Sequence, residues 1–202
     1  MKRAVLTLVI TSAVSGLFTS MVGVGRASAE VTCNGLPATI IGTSGNDSIV
    51  GTWGPDVIVG LGGDDTISGR EGDDTICGNK GNDSLYGGFG KDTILGGSGD
   101  DEIRGDTGDD VLRGGAGDDY IHGFIGNDVM SGDAGNDILR GYSGNDVLSG
   151  NAGDDKLWGD KGDDLLIGGS GTDALDGGPG TDICEGGPAF DKIDRCETAI
   201  QY

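Results

Sequence analysis

From Ile49 to Cys184 an apolar residue returns at every ninth position, usually Ile or Leu, with Met130 and Cys184 as variants. Around it the chain writes the same nonapeptide sixteen times, from Gly42 to Glu185, without an insertion. The first copy reads GTSGNDSIV and the last GGPGTDICE. Positions one and four are Gly in every copy. A fixed period of this kind marks a repeat architecture and has to be read first. Positions one to five are rich in Gly, Asn and Asp, which tolerate the positive φ of tight turns. Positions seven to nine carry Val, Ile, Thr, Leu and Tyr, which favour strand. The pattern predicts a turn and a very short strand in each copy, with position eight pointing one way and positions seven and nine the other.

One such strand cannot bury its single apolar residue alone, but stacked coils bury it against one another. Nine residues reach about half way round a flattened coil, so two copies make one turn and sixteen make about eight. At about 4.8 Å per turn the stack is about 38 Å long. Two flanking segments keep the register imperfectly. CNGLPATII, from Cys33 to Ile41, lacks the position-six Asp, and GGPAFDKID, from Gly186 to Asp194, keeps Asp191 but has Ala189 where the second turn Gly belongs. Both are read as caps that stop an open strand edge. The expected division is a leader over 1–29, an N-terminal cap over 30–41, the array over 42–185 and a C-terminal cap over 186–202.

Composition changes the picture in one respect. The 202 residues include 44 Gly and carry a net charge of −21, with 5% aromatic residues. Without order, that composition belongs to a chain that cannot offset its conformational entropy. The period overturns the reading, provided that something neutralises the carboxylates. The acidity argues against nucleic acid and against anionic membrane surfaces.

The N-terminus has the form of a secretory signal peptide. Lys2 and Arg3 precede an apolar run from Ala4 to about Phe18, and Ala27-Ser28-Ala29 offers a small-x-small cleavage site. Interspersed Ser, Thr and Gly make the segment a poor membrane span, and none is expected in the mature chain. Loss of Lys2, Arg3 and Arg26 leaves 10 basic against 34 acidic residues, a mature charge of −24. Four Cys remain, at 33, 77, 184 and 196. An even count in an exported chain suggests two disulfides. Pairs across the array would have to span the stack, which favours Cys33–Cys77 and Cys184–Cys196; free thiols are the alternative. The spacing does not fit a zinc site.

Position six is Asp in every copy: Asp47, Asp56, Asp65, Asp74, Asp83, Asp92, Asp101, Asp110, Asp119, Asp128, Asp137, Asp146, Asp155, Asp164, Asp173 and Asp182. Asp also forms turns, but sixteen in register beside two fixed Gly point to metal. Stacked carboxylates and turn carbonyls suit Ca²⁺, a hard cation taking six to eight oxygens, better than Mg²⁺, which demands a tighter octahedron. The acidic residues of position five, including Asp64, Asp73, Asp100, Asp109, Asp118, Asp154 and Asp163, are expected to add field strength rather than ligate.

These motifs resemble the hemolysin-type calcium-binding repeat, also called repeats-in-toxin (RTX), over residues 42–185. The resemblance implies an all-β fold, a parallel β-roll akin to a right-handed β-helical solenoid. It implies Ca²⁺ between neighbouring turns, with the family's ligand Asp falling on the sixteen residues above and main-chain carbonyls of the Gly-rich turn completing the shell. Position two is often not Gly, as at Thr43, Leu61, Arg70, Phe124 and Tyr142. Only backbone is expected to serve there, so little is lost. Fourteen gaps between turns suggest roughly a dozen ions.

An enzyme is disfavoured. His122 is the only His and falls at the outward position nine, and no P-loop or dinucleotide fingerprint is present. The outward columns leave room for a protein or glycan partner. Position seven of the even copies stacks Val57, Thr75, Thr93, Val111, Val129, Val147, Leu165 and Ile183, whereas position nine of the odd copies stacks Tyr86, Arg104, His122, Arg140 and Trp158. The sequence therefore reads as a secreted, non-enzymatic protein that folds on binding many Ca²⁺ ions. The alternative is a Ca²⁺-dependent adhesion or interaction module of the cell surface or matrix.

Overall fold

The computed structural model describes residues 30–200, so the expected leader lies outside the described residues. These residues contain strands and turns and no helix. Two parallel sheets, of nine and ten strands, face each other, and successive copies alternate between them. Within the array strands pair with those 18 residues away, so Ile103 stands beside Leu85 on one side and Ile121 on the other. The stack is a β-roll of about nine turns. It exceeds the eight of the array because the flanks supply strands of their own, Ile40–Ile41 at one end and Lys192–Asp194 and Thr198–Ile200 at the other.

The position-eight side chains from Ile58 to Cys184 form one column between the sheets, each at most 1% exposed. This narrow interior is the whole main core. A side chain there removes its apolar surface from water, worth roughly 1.5–3 kcal/mol for a Leu or Ile.

The strands are longer than the β-propensity of positions seven to nine indicates. In the central copies they run six residues, as in Thr66–Glu71 and Tyr120–Ile125, and continue through positions one, two and three of the next copy. The expected division into turn and three-residue strand is corrected accordingly. In the central copies the Gly of position one, as at Gly69 and Gly105, is an inward-facing strand residue, not a turn residue. A Cβ on Gly60 would lie 2.3 Å from Asp65 Oδ2, so the Asp side chain occupies the space a methyl group would need. Position four does take positive φ, as at Gly108 (149°), where a Cβ would meet the Gly90 carbonyl of the preceding turn. Position two is also left-handed from the third copy onward. Asn and Asp adopt that conformation readily, but Leu61, Arg70, Phe124 and Tyr142 hold it too, at φ of 75–86°. For bulky residues this costs roughly 1–2 kcal/mol each, so the non-Gly residues at position two are not free of consequence.

Both disulfides have the pairing favoured above, Cys33–Cys77 and Cys184–Cys196. They do different work. The N-terminal segment is a small antiparallel pair, Thr32–Cys33 with Leu36–Pro37. It lies on the outer face of the ten-stranded sheet, where Cys33, Val59 and Cys77 form a second small core. Cys184 is instead the last residue of the central column, so its bond to Cys196 draws the C-terminal segment over the end of the core.

Candidate metal centre

The position-six Asp residues form two spines, one along each edge of the roll. Turn geometry turns each side chain inward, and from Asp65 to Asp182 they are 0–2% exposed. Each carboxylate has two unlike oxygens. Oδ1 accepts the main-chain N–H of the Asp one turn earlier, as Asp110 does from Asp92 at 2.8 Å and Asp128 from Asp110 at 2.9 Å. Oδ2 is buried and accepts no hydrogen bond in all fourteen residues from Asp65 to Asp182. A buried carboxylate oxygen without a donor is costly, and one repeated at every turn requires a physical reason.

The surroundings supply it. Gly60 is approached by Asp65 Oδ2 and by the carbonyl oxygen of Gly78 in the next turn, which lie 2.3 and 2.9 Å from the position of an added Cβ. The same pairing of Asp Oδ2 with a next-turn carbonyl recurs at Gly69, Gly78, Gly87 and Gly96. Two acceptors converge where no donor stands, which is a cradle for a cation. Among the described residues no three carboxylates or other ligating side chains converge. A cation held here would therefore complete its shell from main-chain carbonyls and water, the donor set of Ca²⁺. The residues present fit that ion.

The sixteen Asp are not equivalent. Thr43 donates its N–H and hydroxyl to Asp47 Oδ2, at 2.6 and 2.9 Å. Thr52 does the same for Asp56, at 2.7 and 2.9 Å. The first turn thus satisfies its own carboxylates, and the fourteen orphaned oxygens begin at Asp65. The spines end differently. Asp191 accepts the N–H of Asp173 and continues one edge. Glu197 Oε2 takes the N–H of Asp182 at 2.5 Å and closes the other. Glu197 lies outside the nonapeptide register, so the period carries no signal for it.

Position five has a structural role that its spacing alone does not convey. Its side-chain Oδ1 accepts the N–H of the residue one turn later, as in Asp64 to Asn82 and Asp100 to Asp118. This outer ladder runs opposite in sense to the inner one, so adjacent turns are tied in both directions. Asn serves as well as Asp, as at Asn82 and Asn136. Lys91 substitutes a cation at this position and pairs with Asp109 at 2.5 Å, holding that carboxyl down at about 2.

Burial dominates the electrostatics of the inner spines. Desolvation, reinforced by like-charged neighbours, raises the carboxyls of Asp74, Asp92 and Asp128 from 3.8 to about 6. Asp101, Asp110, Asp119 and Asp146 rise to about 7. The bond from the neighbouring N–H opposes the shift without cancelling it. With folded values above the unfolded one, the metal-free roll holds the extra protons between about pH 4 and 7. Its stability is greatest below about pH 4 and falls as pH rises through 6 to 7. In protein freed of Ca²⁺ by dialysis, β content followed by circular dichroism is expected to decline from about pH 4 to about pH 7. A rise over that interval would contradict the burial of these groups.

His122 occurs at position nine of the nine-stranded sheet, as expected from its register. It packs against the rings of Phe124 and Tyr142, each at 5.7 Å, and burial lowers its pKa.

The model of the RTX calcium-binding nonapeptide repeat matches seven stretches of the chain, which together run from residue 39 to 193. No curated protein matches the sequence.

Proposed function

The chain belongs to the RTX calcium-binding nonapeptide repeat family, and from that premise we propose a secreted protein whose β-roll is assembled by Ca²⁺ held between adjacent turns. That the chain is a calcium-binding β-roll follows from the family and the fold. The assignment of ligands is our reading. We assign them to the position-six aspartates, with the fourteen from Asp65 to Asp182 as the main set and Asp47 and Asp56, already engaged by Thr43 and Thr52, as weaker ones. The observation that carries this is the orphaned Oδ2 on every one of those fourteen residues. Bound Ca²⁺ would supply the positive charge that the buried carboxylates lack. Export suits the arrangement, because a chain that stays open where Ca²⁺ is scarce can cross a membrane and close outside. The leader-like N-terminus and the two disulfides support that location. The caps and the array keep the boundaries given above, with the leader removed after Ala29. We read the protein as a binding and structural module, not an enzyme.

Native mass spectrometry of the mature protein in Ca²⁺ tests the assignment. The expected load is on the order of ten to fourteen ions. Three or fewer would overturn it.

A second reading, a Ca²⁺-dependent adhesion module, is favoured by the unequal outer faces of the two sheets. Among the described residues the ten-stranded sheet carries no aromatic side chain, whereas the nine-stranded sheet carries Tyr86, Phe89, Tyr120, Phe124, Tyr142 and Trp158.

A further inference from the structure

Nothing in the roll requires its faces to differ. Both sheets are built from the same nonapeptide, and positions seven, nine and two point away from the core. Yet aromatic side chains and most of the strand cations, among them Arg70, Arg104, Arg140 and Lys156, gather on the nine-stranded sheet. The opposite sheet presents a flat column with Val111, Val129 and Ile183 exposed. The asymmetry therefore belongs to what the surface meets, not to what holds the coil.

The aromatic side chains shape a groove of about 540 Å³, lined among others by Tyr120, His122, Arg140, Tyr142, Trp158 and Asp160. Tyr120 is 52% exposed. Phe124 and Tyr142 stack face to face at 4.8 Å with 2° between their planes, and the Arg140 guanidinium lies 4.4 Å from the Tyr142 ring. Both rings stand at position two with φ near 75°, where five other copies of the array have Gly. A bulky residue kept in the left-handed region is strained, and such strain clusters at ligand sites.

The charges of the groove identify the occupant. Arg140 pairs with Asp160 at 2.5 Å, Arg195 with Asp176, and Arg104 with Glu102. Every one of these cations is already neutralised by an acid beside it. The groove exerts little pull on an anion, but it sets planar donors and acceptors next to the exposed ring of Tyr120 and the half-buried rings of Tyr142 and Trp158. Flat apolar rings with a few fixed polar groups are the lining that a neutral, hydroxyl-rich ligand needs. We propose that this face binds a neutral oligosaccharide, laid across the strands with its sugar rings on Tyr120 and Trp158 and against the edge of Tyr142, and its hydroxyls on the Arg140–Asp160 pair. The proposal gives the adhesion reading its ligand class and rests on that reading and on the Ca²⁺-loaded roll.

The test uses the mature, Ca²⁺-loaded protein carrying Trp53→Phe, so that indole fluorescence reports Trp158. The probes are cellohexaose, laminarihexaose, chitohexaose and mannohexaose, with hexagalacturonate as the anionic comparison. At least one neutral probe is expected to shift the emission at millimolar concentration or below. Tyr142→Gly should weaken that binding at least about tenfold while its thermal midpoint in Ca²⁺ stays level or rises, since Gly relieves the positive φ. Val129→Ser on the opposite sheet should leave binding unchanged. No response to any neutral probe, tighter binding of hexagalacturonate, or full binding by Tyr142→Gly would each overturn the proposal. Far-ultraviolet circular dichroism in Ca²⁺ reports the roll separately, so lost binding with the β signal intact strikes the sugar assignment alone.

Discussion

At neutral pH, with disulfides reduced, the Ca²⁺-free mature chain is expected to be expanded and to lose most of its β signal, and Ca²⁺ to restore it in a steep titration. The reason lies in the balance between core and spines. Each copy buries one apolar side chain, while ordering nine residues opposes folding through backbone entropy. Each copy also buries a carboxylate with one oxygen unanswered, and like charges on adjacent turns repel. Bound cations reverse the sign of that electrostatic contribution, so metal binding and folding become one event. Mg²⁺ at equal concentration should do far less. Circular dichroism and small-angle scattering during the titration decide the matter. A compact, β-rich chain in excess chelator would show a self-sufficient fold.

Two neighbouring aspartates sharpen the test. Asp110→Ala removes a buried Oδ2 and leaves the Asp92 N–H without its acceptor. It should cost about 1–3 kcal/mol in the Ca²⁺ form and lower the number of ions retained. Asp109→Ala removes an exposed ion pair with Lys91 and the bond that Asp109 accepts from the Asn127 N–H. Its cost should be smaller, since an exposed ion pair contributes little, with the ion count unchanged. Equal effects would mean that the inner spine and the outer ladder share the metal.

Gly114→Ala is expected to be among the most damaging single methyl groups that can be added. The new Cβ would lie 2.1 Å from Asp119 Oδ2 and 2.6 Å from its Cγ. Either the carboxylate swings out or the turns part, and both spoil a cation cradle. Overpacking of this kind costs about 2–3 kcal/mol, and the ions of the adjoining gap should be lost with it. Gly115→Asn, one residue along, places a Cβ 2.2 Å from the Gly97 carbonyl oxygen, so the strand must settle to a smaller φ, and it should cost about 1–2 kcal/mol with the ions retained. Position two is left-handed, and Asn79 and Asn151 already occupy it in the same sheet. Denaturation in saturating Ca²⁺ measures both. If Gly114→Ala kept its stability and its ions, the folding of Asp over Gly would not be the reason for the invariant Gly.

Much of this was legible in the chain because a strict period converts sequence position directly into place. Position eight gave the core column from Ile58 to Cys184, and the alternation of copies gave two sheets. The columns headed by Val57 and Tyr86 stand in register as their spacing requires. Cys33–Cys77 and Cys184–Cys196 followed because an extended stack keeps its ends apart.

What the period could not convey is where a side chain bends. Invariance at positions one and six is visible in sequence, but only the fold shows that one explains the other, with Asp65 lying over Gly60. The split between a bonded Oδ1 and an orphaned Oδ2 depends on the neighbouring turn, 18 residues away. Thr43 and Thr52 set the first turn apart through local bonds, and Glu197 closes a spine from outside the register. The aromatic face shows the same limit. Tyr86, His122 and Trp158 form a column by parity, but Phe124 and Tyr142 fall in a segment whose composition reads as turn. They join that face because the strand, once paired on both sides, continues through Gly into position two. Local propensity determines where a strand can begin. Hydrogen bonding to two neighbours decides how far it runs, and with it which side chains share a surface.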